Sequence, residues 1–106
     1  MPSYFYQADL ESQLPETPPD SIVSRTYYQD ENLRAILFGF AAGQELSEHT
    51  ASKPATLHFL KGEAHLTLGD DEFEVKAGAW VHMQPNLSHS IHAKTTLVML
   101  LTMLEK

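Results

Sequence analysis

From Ser21 onward, apolar and polar positions alternate with a period close to two. SIVSRTYYQ, residues 21–29, is rich in β-branched and aromatic residues and runs into Asp30-Glu31-Asn32, a cluster suited to a turn. LRAILFGF follows as a second strand, with Ile36 and Phe38 on one face and Leu37 on the other. Both of its faces are apolar, which predicts cover on both sides. TLHFL, AHLTL, EFEV, AWVHM, HSIHA and LVMLLTML read as further short strands, punctuated at Gly62-Glu63, Gly69-Asp70-Asp71 and Lys76-Ala77-Gly78. About eight strands at roughly ten-residue spacing, with no 3.6-residue stripe, predict an all-β sandwich or barrel rather than βαβ units. LVMLLTML is apolar enough for a buried helix, but its place after a series of short strands predicts a strand buried on both faces.

The first twenty residues break this pattern. Pro15, Pro18 and Pro19 sit in LPETPPD, which cannot hold a helix or a central strand. The aromatics of SYFY predict that this arm packs on the domain surface or on a partner subunit. The expected division is an irregular arm over residues 1–20 and a barrel over residues 21–106.

Composition narrows the partners. The chain has 106 residues, enough for one core, with 14 acidic against 7 basic residues and a formal charge of −7. The basic residues are scattered, so neither nucleic acid nor an anionic membrane surface is an expected partner. There is no cysteine, hence no disulfide framework, thiol nucleophile or thiolate metal site. No apolar run approaches the roughly 18 residues of a membrane span, and MPSYFYQADL lacks the features of a signal peptide. A cytoplasmic domain is the expectation.

Histidine carries the candidate chemistry. All six histidines fall between His49 and His92. Imidazole is the commonest protein metal ligand and the usual acid–base group near neutral pH. Their neighbourhoods resemble the two motifs of the cupin family. Gly43-Gln-Glu-Leu-Ser-Glu-His49 fits a glycine, five residues and a histidine, and Gly62 stands where the first motif ends. Gly78, AWVHM, Gln84-Pro85-Asn86-Leu87-Ser88 and His89 fit the second motif in order. The resemblance covers about residues 21 to 104 and implies a double-stranded β-helix, the cupin jelly roll. It also implies a metal held by two histidines of the first motif, a carboxylate or amide four residues later, and the histidine of the second.

This chain departs from that ligand set. The second histidine position is Ala51, the carboxylate position is Ala55, and the turn glycine is Asn86, which tolerates the left-handed conformation. His49 and His89 remain as candidate ligands. His58, in TLHFL, and His82, in AWVHM, are the candidates to complete a rearranged site, since their strands are antiparallel neighbours in a jelly roll. Strict alternation from Ala55 puts Leu57 and Phe59 inward and His58 on the opposite face, unless a bulge near Lys53-Pro54 reverses it. The competing reading makes His58 and His82 a hydrogen-bonded pair under a dimer partner. His65 and His92 are assigned no site role. Glu45 and Glu48 read as solvated loop carboxylates. Trp80, Phe59, Phe40 and Met83 are candidates for a cavity lining or, more simply, for core.

Two functions follow. The resemblance implies a divalent transition metal (Fe, Mn, Ni, Zn or Cu) serving a dioxygenase, isomerase or decarboxylase that acts on a small organic molecule. The alternative is a binding or sensing barrel without metal, in which histidines orient a small ligand by hydrogen bonds. The continuous apolar runs of ILFGF and LVMLLTML, with the SYFY arm, predict a homodimer.

Overall fold

In the computed structural model the described residues are 3–14 and 16–105, with residues 48 and 49 described by backbone alone. Pro15 and the side chains of Glu48 and His49 therefore lie outside the described set. Among the described residues there are nine strands: β1 (Ile22–Gln29), β2 (Leu33–Phe40), β3 (Glu45–His49), β4 (Ala55–Lys61), β5 (Glu63–Leu68), β6 (Asp71–Lys76), β7 (Trp80–Met83), β8 (His89–Ala93) and β9 (Leu97–Leu104). All pair antiparallel, in a five-stranded sheet of order β1-β2-β9-β4-β7 and a four-stranded sheet of order β3-β8-β5-β6. The all-β architecture expected from the strand pattern, and the jelly roll implied by the resemblance, are the fold observed. The strand missing from the sequence reading is β3, where alternation is hidden among polar side chains in ELSEH.

The core lies between the two sheets and follows from period-two alternation. Phe40 of β2, Leu57 and Phe59 of β4, Leu66 of β5, Ile91 of β8 and Leu97 and Met99 of β9 are all at most 1% exposed. They form one cluster that both sheets share. The strand β9 is central, pairing β2 on one side and β4 on the other, which is why LVMLLTML has no polar face.

The outer face of the five-stranded sheet is covered in part by the N-terminal residues. Among the described ones, Glu11–Gln13 form a 3-10 turn. A Cβ on Gly39 of β2 would lie 2.7 Å from the Leu14 Cδ2 and 2.5 Å from the Thr17 Oγ1, so the arm runs directly over that strand. Arg25 of β1 donates to the Gln13 carbonyl at 3.2 Å and ties the arm down. Phe5 packs on Tyr27 and Tyr28, while Tyr4 and Tyr6 stay exposed. Leu37, which points to this face, is fully buried.

Left-handed backbone recurs at the turns, and Asn86 and Gly62 show why. Asn86 has φ 68°, so the residue replacing the turn glycine adopts the conformation asparagine tolerates. Gly62 has φ 92°, and a Cβ there would collide with the Thr96 carbonyl. No helix among the described residues is long and apolar enough to cross a membrane.

Candidate functional site

The pairing of β3 with β8 sets His49 directly opposite His89. His89 also faces Leu68 across β8 and β5, and it is the one polar residue among the buried described ones, at 5% exposure. Its Nδ1 lies 3.0 Å from the Leu87 carbonyl. A carbonyl can only accept, so Nδ1 donates this hydrogen bond. The Leu87 carbonyl, in the turn before β8, thus holds the orientation of the ring.

His58 and His82 come together elsewhere. The alternation in β4 is unbroken through this region: Ala55, Leu57 and Phe59 point inward and are buried, and His58 lies on the outer face. In β7, Met83 points inward and His82 is exposed. Thr56 faces His82 and His58 faces Trp80, so the two histidines are diagonal neighbours on the outside of the five-stranded sheet. The four candidate ligands therefore stand as two pairs, one paired across β3 and β8 and one on the outer surface of the other sheet.

The remaining two histidines sit on the outer face of the four-stranded sheet. His65 of β5 lies between two carboxylates of β6, with Nε2 2.8 Å from Glu72 and Nδ1 hydrogen-bonded to Glu74. Both ring nitrogens donate, which requires the imidazolium, and the carboxylates of Glu74 and then Glu72 raise its pKa above 6.5. Lys94 pairs with Glu74, and Lys94 and then His65 hold that carboxyl below its ordinary value. His92, opposite His65, donates from Nδ1 to Glu45 at 3.3 Å.

Ala51 and Ala55 offer no donor atoms, and Ala55 is packed in the core. Among the described residues no group of three His, Asp or Glu side chains is arranged to hold a metal. The described donors therefore do not fit a centre built on the usual three protein ligands. What the barrel does offer is an apolar cavity of about 310 Å³ at the open edge between β6 and β7. Leu66, Leu68, Phe73, Val75, Ala79 and Val81 line it, with Trp80 at the rim, and Leu68 is the cross-strand neighbour of His89. Of this set, Trp80 alone stood out in the sequence as a cavity-lining candidate. For Phe73 and Val75 the signal was an apolar residue at every second position of EFEV, on a strand otherwise charged.

The cupin-domain family profile matches residues 36–104. Among solved structures, a cupin superfamily protein from Desulfitobacterium hafniense superimposes with a TM-score of 0.82 at 24% identity, covering 90% of this chain and 87% of that one. A conserved protein of unknown function from Streptococcus pyogenes gives 0.83 at 25% identity, covering 98% and 90%. An RmlC-like cupin from Desulfovibrio desulfuricans gives 0.82 at 24%, covering 96% and 97%. No curated protein matches the chain. The paired sheets, the turn residues Gly62 and Asn86, and a family match over most of the barrel lead to one conclusion: this chain belongs to the cupin family.

Proposed function

We propose that this cupin binds a small, predominantly apolar organic molecule in the cavity between β6 and β7. One observation carries the reading. The cavity is walled by apolar side chains from both sheets, and a buried, orientation-locked imidazole stands one cross-strand pair away. Small-molecule sites have this composition, apolar walls with few polar groups that set orientation. The single tryptophan, Trp80, reports on occupancy because it stands at the rim. Titration with 4-nitrobenzyl alcohol is expected to quench Trp80 emission saturably. Ala79→Phe, which fills the cavity, abolishes the saturable phase while the circular-dichroism spectrum is retained. Unchanged quenching in a folded Ala79→Phe protein sinks the reading.

The register of β3 and β8 favours a second reading, in which His49 and His89 together hold a divalent transition metal (Fe, Mn, Ni, Zn or Cu) and the bound molecule completes the coordination. Metal analysis of protein purified without chelator separates the two. Stoichiometric metal that disappears in His89→Ala carries the second reading; substoichiometric metal in the unmodified protein removes it.

The same proposal includes a cytoplasmic homodimer. The uncovered part of the outer face brings half-buried His58 and Leu100 beside Trp80, which is 61% exposed. In this arrangement His58 and His82 belong to the subunit interface rather than to the ligand site.

A further inference from the structure

A second hollow lies on the opposite side of the five-stranded sheet from the core, between the arm and the outer faces of β1, β2 and β9. Its volume is about 380 Å³. The floor is one cross-strand row: Tyr28 faces Ala35, and Ala35 faces Thr102. Residues in such a row normally touch side by side. With alanine in the middle the row is dished, and Phe5 and Leu10 of the arm bound the depression without filling it.

The aromatic wall depends on a local irregularity of β1. Pairing with β2 skips from Thr26 to Tyr28, which leaves Tyr27 as an extra residue. In a regular strand Tyr27 and Tyr28 would point to opposite faces. The bulge re-aims them, and both line the hollow. Phe5 meets both rings, with centroids 6.4 Å from Tyr27 and 5.0 Å from Tyr28. Tyr28 is anchored by donating its hydroxyl to Asp30 at 2.6 Å.

We propose that this hollow binds a small planar aromatic molecule of phenol or indole size, stacked against Phe5, Tyr27 and Tyr28 over Ala35. A cavity of about 150 Å³ already accommodates benzene, so the space is sufficient. Aromatic rings gain offset or edge-to-face contact with such walls beyond the burial of their area, and an aliphatic chain does not. Gln7 and Thr102 place an amide and a hydroxyl at the rim for one polar group of the ligand. The described residues that line the hollow are aromatic, aliphatic or uncharged polar, which suits an uncharged ligand. This site is separate from the barrel cavity, and the arm forms one of its walls.

The test is a titration of the full isotope-labelled chain with indole and with 4-methylphenol, followed by amide chemical shifts, with cyclohexylmethanol as the saturated control. Shifts are expected to concentrate at Tyr28, Ala35 and Thr102. Phe5→Ala and Ala35→Leu should each weaken the aromatic probes about fivefold or more, and the saturated alcohol should bind about fivefold more weakly than 4-methylphenol. Phe5 lies outside the core, so Phe5→Ala remains informative even if Ala35→Leu fails to fold. The proposal is overturned by no binding at millimolar probe, by shifts confined to barrel residues such as Leu66 and Val81, by unchanged affinity in Phe5→Ala, or by equal binding of cyclohexylmethanol.

Discussion

His65 is the residue whose chemistry the outer surface defines most sharply. It faces Glu72 and Glu74 of β6 and His92 of β8, Lys94 stands beside it on Glu74, and Glu45 of β3 lies beyond His92. Its folded pKa is raised above 6.5, so the folded state holds the proton more tightly than the unfolded one. The stabilisation from His65 is therefore complete below pH 6.5 and fades as pH climbs through the raised folded value. Glu74 runs the other way. Its folded pKa is below 4.5, so its contribution is present above pH 4.5 and is lost as pH falls through the depressed value. Melting curves from pH 4 to 9 should show the gap between the unmodified protein and His65→Gln widest between those limits and closing on the alkaline side. A gap independent of pH would show that His65 contributes by packing alone. The facing of individual histidines was legible beforehand where alternation holds. Leu57 and Phe59 bury, so His58 must turn outward. The bracketing of His65 was not, because Glu72 and Glu74 reach it only through the β5–β6 register.

Gly39 shows the same division among elements. As a glycine inside an apolar strand it marks a close approach, and the structure identifies what approaches: the arm, through Leu14 and Thr17. Gly39→Val should leave the barrel folded, since strands favour β-branched residues, while lifting the arm. Cleavage after Glu11 and Glu16 by a glutamyl endopeptidase is then expected to accelerate about tenfold, because proteolysis tracks the population of the open segment. An unchanged cleavage rate would show that the arm is held elsewhere. Most strands could be read from alternation and turn residues, and β9 from its apolar length. The short β3 could not, because its inward residue Leu46 is a single apolar position among Glu45, Ser47 and Glu48. The bulge at Tyr27 escaped for a related reason. SIVSRTYYQ is a good strand by composition, and only the pairing with β2 reveals the extra residue.

At the scale of the whole molecule, a core shared by two sheets makes stability sensitive to any one large side chain within it. Phe59 is fully buried in β4, and Phe59→Ala is expected to cost about 3–5 kcal/mol in a urea melt. A loss under about 1 kcal/mol would mean that the cluster repacks freely. Sedimentation at micromolar concentration should give a species of twice 11.9 kDa, and Trp80→Glu should return it to the monomer without unfolding. A monomer in the unmodified protein removes the interface and with it the role given to His58 and His82. By itself the sequence determined every described strand but β3, their turns, the inward and outward faces wherever alternation is regular, and the family motifs at Gly43, His49, Gly62, Gly78 and His89, because these depend on local conformation and on residues a few positions apart. The tertiary structure alone decided where the barrel stays open between β6 and β7, which outer surface the arm covers, and that the histidines form separate pairs. Those features arise where strands distant in the chain are brought into register, and no period within one strand encodes its neighbour.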